Sequence, residues 1–167
     1  MFELVATMED PINLSIGQAH FDVAEPVKDA AIQAIREDQS RYTVTQGLPE
    51  LNERILERMR TLYGFAGGPS QSIVTSGVSG GLMLGFMALL DPGDEILVPD
   101  PYFTMYPMLA GMCSGVPRTY DLYPGHAFRP ETLEQGITDR TRAILVNSPS
   151  NPTGRTLTAE ELGVVGE

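Results

Sequence analysis

The stretch RAILVNSPSNPTG, Arg142–Gly154, changes character in its middle. Its first part is a continuous apolar run of the length expected for a buried β-strand. Its second part contains two asparagines and two prolines, residue types that end a strand and favour turns. Open α/β sheets bind ligands in the loops at the carboxyl ends of their parallel strands. We therefore expect a core strand here that delivers polar groups to a ligand site.

The same alternation of short apolar strands and helices runs through most of the chain upstream of this stretch. Strands of four to six apolar residues alternating with helices predict an α/β fold, with a mostly parallel sheet covered on both faces. The helix LMLGFMALL (82–90) is apolar all round, which predicts a helix enclosed in a core. The predicted strands are SIVTS (72–76), EILVPD (95–100), the segment around VPRTYDL (116–122) and RAILVN (142–147).

Helices are also predicted before and after this alternation. Pro26 suits the first turn of a helix whose apolar residues include Val27 and Ile35 at helical spacing. A second amphipathic helix carries apolar residues from Leu51 to Leu62 and ends at Gly64. A short helix is predicted over 130–136. A last helix starts near Thr158, which has Glu161 at capping-box spacing.

Composition excludes several classes of protein. The 167 residues are 42% hydrophobic and 20% charged, which is ordinary for one globular domain. No apolar run is long enough to span a bilayer, and the acidic N-terminus does not resemble a signal peptide. A net charge of −11 argues against a nucleic-acid-binding surface. The single cysteine, Cys113, is typical of a reducing compartment, so we expect a cytoplasmic protein with no membrane or nucleic-acid partner.

Three segments that follow predicted strands carry groups able to bind a ligand. The turn VTSGVSGGL precedes a helix, whose free N–H groups could hold a phosphate. Tyr102, Phe103 and Tyr106 could stack on a flat ring, and the asparagines of NSPSNPTG could donate amide hydrogen bonds. Taken singly, these features are more typical of turn glycines, core aromatics and a proline-rich turn. Together they predict a site for a flat, phosphorylated ring.

Other site types lack their patterns. His20 and His126 lie far apart in sequence, with no nearby cysteine or paired carboxylates, so we predict no metal site. The Gly-x-Ser-x-Gly elbow of serine hydrolases is also missing.

Five motifs in order resemble those of the class I/II aminotransferases, which are pyridoxal-phosphate enzymes of fold type I. The resemblance covers nearly the whole chain. It implies the three-layer αβα large domain of these enzymes, with an incomplete, mostly parallel sheet. It also implies that residues 1–40 form a substrate-loop and helix segment and that 41–167 begin the cofactor-binding large domain. The motifs are LSIGQAHFDV (14–23), YTVTQGLPELNERI (42–55), VTSGVSGGL (74–82), DPGDEILVPDPYFTMYP (91–107) and AILVNSPSNPTG (143–154).

The resemblance assigns the phosphate group of pyridoxal 5′-phosphate to two parts of the chain. Gly77, Val78 and Ser79 match the family's phosphate-binding turn, which acts through backbone N–H groups and a hydroxyl. Tyr42 matches the tyrosine that reaches across a dimer interface to the phosphate of the neighbouring subunit.

It assigns the ring and the substrate to three further positions. Phe103 corresponds to the aromatic residue that stacks on the pyridine, and Asn151 to the asparagine that bonds the phenolic oxygen. Gly17 falls where the family's loop covers the substrate carboxylate. The Asp100–Pro101 and Asn151–Pro152 bonds align with positions that tend to be cis.

The chain also departs from the family pattern. Ala19, His20 and Ala24 replace common residues of the substrate loop, which puts substrate specificity in doubt. Family members are about twice as long. The Schiff-base lysine, the aspartate that pairs with the pyridine nitrogen and the arginine that binds the substrate carboxylate all lie beyond the segment matched here.

The resemblance implies transfer of an amino group between an amino acid and a 2-oxo acid, by an enzyme of which this chain is the N-terminal half. By itself the chain should be inactive, and it should expose strand edges and apolar surface. We expect a homodimer or a complementing C-terminal half as partner. Two alternatives stay open. One is a non-catalytic remnant or half-enzyme that keeps the phosphate pocket and dimer face, and the other is a related pyridoxal-phosphate lyase.

Lys28 is the only lysine of the sequence, and it lies in the helix after the substrate loop. Because a solvent-facing helix lysine has no reason to react specifically, we expect no more cofactor adduct at Lys28 than in the urea-unfolded chain, after incubation with pyridoxal phosphate and borohydride reduction. Peptide mass spectrometry measures this, with the urea-unfolded chain as control. Labelling of Lys28 well above that control would contradict the assignment.

Overall fold

The computed structural model describes residues 7–10, 12, 17 and 19–166. Its contacts divide the chain into two compact units, Met1–Val44 and Thr45–Glu167. The first unit contains helix α1, Glu25–Arg36, with Pro26 in its first turn as predicted. No side chain of α1 is buried. Of the predicted substrate loop, Leu14, Ser15, Ile16 and Gln18 lie outside the described residues. The predicted division by function at residue 40 stays a prediction.

The second unit is built around a parallel sheet. In the described residues this sheet has three strands, β1 (Glu95–Asp100), β2 (Val116–Asp121) and β3 (Thr141–Ile144), in the order β2–β1–β3. Glu95 of β1 lies opposite Val116 of β2 and Thr141 of β3. No helix in this part of the chain has the length and apolarity that crossing a bilayer requires. The elements are α2 Pro49–Tyr63, a 3₁₀ turn Pro69–Gln71, α3 Gly77–Leu89, β1 Glu95–Asp100, α4 Met105–Met112, β2 Val116–Asp121, α5 Pro130–Gly136, β3 Thr141–Ile144 and α6 Ala159–Gly166.

Strand β1 is buried on both of its faces. Because successive side chains of a strand point to opposite sides, neighbouring residues of β1 pack in two different clusters. On one face, Ile96 and Val98 pack in a cluster with side chains of α3 and α4. On the other face, Leu97 packs in a second cluster with side chains of α5 and α6. The sheet therefore lies between two helix layers, which confirms the three-layer α/β prediction.

The amino end of β1 carries a buried charge that is fully paired. The side chain of Glu95 is only 1% exposed. It accepts hydrogen bonds from the Thr138 hydroxyl at 2.7 Å and from the Arg140 guanidinium at 2.6 Å and 3.1 Å. Arg118 of β2 lies 3.4 Å away. The Thr138 and Arg140 bonds hold the pKa of Glu95 below its ordinary value, although burial opposes them. This network ties β1 to β2 and to the turn before β3.

The predicted strand SIVTS is wrong, since residues 72–76 form no strand in the described structure. A strand requires a ladder of bonds to a neighbouring strand, and the bond from the Val74 N–H to the Gln46 carbonyl at 2.9 Å does not by itself form one. Gly47 permits this close approach. A Cβ at Gly47 would lie 2.5 Å from a Val74 methyl group, and the φ of Gly47 is +98°.

Helix α3 is not enclosed as predicted. Phe86 is its buried residue, whereas Leu84 is 50% exposed and Met87 is 63% exposed. The helix is apolar all round, but the second unit covers only the side that faces β1. The exposed apolar surface expected of this chain is thereby confirmed.

Helix α6 begins with the predicted capping box. The Glu161 N–H donates to the Thr158 hydroxyl at 3.2 Å, and the Glu161 carboxylate accepts from the Thr158 N–H at 2.8 Å. The same carboxylate pairs in a bidentate manner with Arg155 at 2.7 Å and 3.1 Å, and it accepts the Phe128 N–H at 3.1 Å. Glu161 thus joins the loop after β3 to the loop before α5.

Leu97 and Leu84 allow the energetic cost of losing a buried side chain to be compared with that of losing an exposed one. Leu97→Ala removes a fully buried side chain and should lower the free energy of unfolding by about 2–5 kcal/mol. Leu84→Ala, the matched control on α3, should cost less than about 1 kcal/mol in this chain. Urea unfolding of both variants measures the difference. Equal costs would contradict the described burial.

The Glu161 carboxylate should stabilise the fold in a pH-dependent way. The Arg155 bonds, followed by the Thr158 N–H bond, lower the pKa of Glu161 from 4.5 to about 2. A depressed pKa contributes stability above about pH 4.5, and this stability is lost as the pH falls towards 2. The difference in thermal midpoint between wild type and Glu161→Gln should therefore shrink over that range. The exposed neighbour Glu160→Gln is the control, and a pH-independent difference for Glu161→Gln would contradict the assignment.

Candidate functional site

The predicted phosphate turn forms the amino end of α3. Gly77 adopts a φ of +69°, its N–H donates to the Thr75 carbonyl at 2.8 Å, and the Thr75 hydroxyl donates to the Gly77 carbonyl at 2.9 Å. The Gly77 N–H is therefore already engaged. Val78 and Ser79 lie in the first turn, where the helix has no carbonyl to pair their N–H groups. Of the three predicted residues, Val78 and Ser79 thus offer the available donors.

The surroundings of this turn favour an anion. The first turn of α3 contains no acidic side chain that would oppose the positive end of the helix dipole. Val78 is exposed and Ser79 is half-buried. Within the described residues, the Ser79 hydroxyl makes no hydrogen bond. A Cβ placed on Gly77 would meet no atom within 4 Å, so the turn is open on that side.

Phe103 lies in the segment between β1 and α4, and it is held by Tyr106. The two rings make an edge-to-face contact with centroids 5.6 Å apart, and the Tyr106 N–H donates to the Phe103 carbonyl at 2.9 Å. Phe103 packs against the same core cluster as Leu82 and Met83 of α3. The segment that carries Phe103 and the helix that carries Ser79 therefore share one core.

Asn151 lies in the loop after β3. Its backbone N–H donates to the Asn147 side-chain oxygen at 2.7 Å. The loop closes on itself, because the Gly154 N–H donates to the Ser150 carbonyl at 2.7 Å and the Ser150 N–H to the Arg155 carbonyl at 2.8 Å. The Asn151 side chain is exposed and makes no hydrogen bond to the described part of the protein.

The Asp100–Pro101 and Asn151–Pro152 peptide bonds, which the resemblance aligned with cis positions, are both cis. The predicted cis geometry is therefore confirmed at the two segments that carry Phe103 and Asn151.

A small cavity lies next to the Asn151 loop. It measures about 10 Å³ and is lined in part by Asn147, Ser150, Arg155 and His126. This volume suits one water molecule and not a cofactor. The Nδ1 atom of His126 is buried there without a hydrogen-bond partner in the described structure.

Hydrogen bonds and ring contacts link two of the predicted site residues, Phe103 and Asn151. Phe103 and Asn151 are joined through Tyr106 and Asn147, since the Tyr106 hydroxyl also donates to the Asn147 oxygen at 3.0 Å. Neither this hydroxyl nor the Asn147 oxygen was assigned from the sequence. The sequence could have indicated one of the two bonds, because the side chain of an asparagine such as Asn147 often bonds the backbone a few residues further on.

Gly17 and Tyr42 belong to the first unit, and both are exposed. Their assigned roles, towards the substrate carboxylate and the phosphate of a neighbouring subunit, stay predictions.

The sequence of the chain is similar to that of known aminotransferases. The family described as "Aminotransferase class I and II" matches residues 9–166. The chain is 41% identical over 167 residues to an aspartate aminotransferase of Geobacillus stearothermophilus, covering 99% of this chain and 42% of that protein. It is 38% identical to a probable aspartate/prephenate aminotransferase of Aquifex aeolicus, with the same coverage.

Solved structures show the same similarity. The aspartate aminotransferase of Thermus thermophilus with maleate superposes with a TM-score of 0.87 at 38% identity, covering 91% of this chain and 40% of that chain. A Pyrococcus protein designated A1 gives a TM-score of 0.93 at 32% identity, covering 98% and 43%. The chain spans about two fifths of the length of the relatives it matches. Over that span, the matched residues and the shared fold show that the chain belongs to the class I and II aminotransferases.

Proposed function

We propose that this chain provides the phosphate- and ring-binding part of a pyridoxal 5′-phosphate-dependent aminotransferase. The observation that carries the proposal is the set of unpaired donors at the amino end of α3, together with Phe103 and Asn151 on segments linked within one core. The names of the relatives support transfer of an amino group from an amino acid, with aspartate as donor, to a 2-oxo acid.

The donor set fits a phosphorylated pyridine. The Val78 and Ser79 N–H groups and the Ser79 hydroxyl would hold the phosphate, for which a helix amino terminus is suited. Phe103 would stack on the ring, and the unpaired Asn151 amide would donate to the phenolic oxygen. When bound, the cofactor supplies a ring that withdraws electrons from the α-carbon of the amino acid. The chain's own residues hold that ring in position.

The reactive amine is proposed to come from outside this sequence. Lys28, the only lysine, makes an ion pair with Glu25 at 2.6 Å on a helix whose side chains are not buried. Such a pairing is typical of a surface lysine. This supports a chain that is inactive by itself and that needs a complementing C-terminal half.

Exposed aromatic and apolar side chains in each of the two units support binding to a protein partner. Tyr42 of the first unit is fully exposed, as a residue that reaches another subunit's phosphate would be in an isolated chain. The open side of α3, which carries Leu84 and Met87, is an apolar surface of the kind that proteins cover. We propose a homodimer of the complemented enzyme.

The decisive experiment compares pyridoxine 5′-phosphate with pyridoxine, two ligands that lack the aldehyde and so bind without covalent chemistry. Ser79→Ala should weaken binding of the phosphorylated ligand by about tenfold, because a hydrogen bond to a charged group is lost. Pyridoxine binding should not change. Phe103→Leu should weaken both ligands by about threefold to tenfold. Titration calorimetry measures these affinities.

Phe128→Leu is the matched control, because Phe128 is a buried aromatic residue of the second cluster and is not one of the groups proposed to contact the cofactor. It should leave both affinities unchanged. If the wild-type chain binds neither ligand, or if Ser79→Ala affects pyridoxine as strongly as its phosphate, the proposed cofactor site is wrong.

A further inference from the structure

We infer that Asn147 is a positioning residue, whose side-chain oxygen joins Tyr106 to the backbone of Asn151 and so fixes Phe103 and Asn151 relative to each other. This inference deepens the proposed function and rests on it. No role was assigned to this side-chain oxygen on sequence grounds. Its importance follows from the contacts that converge on a single atom.

The Asn147 oxygen Oδ1 accepts two hydrogen bonds at once. One comes from the Tyr106 hydroxyl at 3.0 Å and the other from the Asn151 N–H at 2.7 Å. Both distances are those of ordinary hydrogen bonds. A carboxamide oxygen has two lone pairs, so these two donors satisfy it completely. The atom therefore links the helix after β1 to the loop after β3.

The Tyr106 side of the link is rigid. Tyr106 is 6% exposed and packs in the cluster that contains Ile96 and Val98 of the central strand. Its hydroxyl is a proton donor at neutral pH, and burial raises the pKa of this group further above its ordinary value. Tyr106 also contacts Phe103 twice, through the ring edge and through the bond from its N–H. Its position thus determines where the Phe103 ring lies.

The Asn151 side of the link depends on Asn147. Among the described residues, the bond to Asn147 is the hydrogen bond that Asn151 makes. The rest of the loop is closed by its own backbone and by the Arg155–Glu161 ion pair. Without the Asn147 oxygen, the residue proposed to bond the phenolic oxygen would lose its hydrogen-bonded connection to the core that holds the ring-stacking residue.

This role predicts a selective effect on ligand binding. Asn147→Ala should weaken pyridoxine 5′-phosphate and pyridoxine equally, by about tenfold, because two bonds that align the ring-binding groups are lost. Tyr106→Phe, which keeps the ring and removes one bond, should weaken both by about threefold. Inorganic phosphate should bind the Asn147→Ala variant as it binds wild type, because the turn at Ser79 is untouched. Titration calorimetry provides all three affinities.

Tyr120→Phe is the matched control. The Tyr120 hydroxyl is also buried and donates to the Leu145 carbonyl at 2.8 Å, so its removal costs a similar hydrogen bond outside the link. It should leave the ring affinities unchanged. If Tyr120→Phe weakens them as much as Tyr106→Phe, or if Asn147→Ala weakens inorganic phosphate equally, the effect is general destabilisation and the inference fails.

Hydrogen exchange tests the link without any ligand. The Asn151 N–H should exchange at least about fivefold faster in Asn147→Ala than in wild type, since its acceptor is gone. It should stay protected in Asn147→Asp, whose carboxylate still accepts both bonds. Unchanged exchange in Asn147→Ala would overturn the inference. If wild type binds neither ring ligand, the proposed function fails, whereas this measurement still decides whether the link exists.

Discussion

The structure of the second unit depends on the burial of strand β1, of which Glu95 to Pro99 are buried. Its side chains alternate between two helix layers, with Ile96 and Val98 on one side and Leu97 on the other. A strand buried in this way needs parallel neighbours along both edges, and β2 and β3 supply them. The charge at its amino end is tolerated because Glu95 is paired with Arg140 and bonded to Thr138. With β1 held so firmly, the loops at the carboxyl ends of the strands have a rigid base.

The candidate site uses that base to bring different chemistries together. The amino end of α3 offers donors to an anion, Phe103 offers a ring, and Asn151 offers an amide. The first two are held by one core cluster, and the second and third are connected through Tyr106 and Asn147. These hydrogen bonds define directions as well as distances, which is what a flat ligand with a fixed polar rim requires.

The uncovered parts of the molecule have a common explanation. In the described part of the second unit, the segment 72–76 pairs with no strand, and the outer side chains of α3, Leu84 and Met87, are exposed. Both features agree with a chain that spans about two fifths of the aminotransferases it matches. Apolar surface of this kind is costly in water, so these features also support the proposed protein partner.

The sequence by itself determined the α/β class, the helix at 130–136, the capping box at Thr158 and the family, because hydrophobic period, turn residues and motifs are local properties. It also indicated which strand ends carry polar groups. The failure at SIVTS has a physical reason: an apolar segment becomes a strand only when a neighbour completes its ladder of hydrogen bonds. The exposure of α3 likewise depends on what packs above it. That the Asn147 oxygen joins Tyr106, 41 residues away, to Asn151 was decided by tertiary structure alone, because side-chain contacts between distant segments leave no local pattern in the sequence.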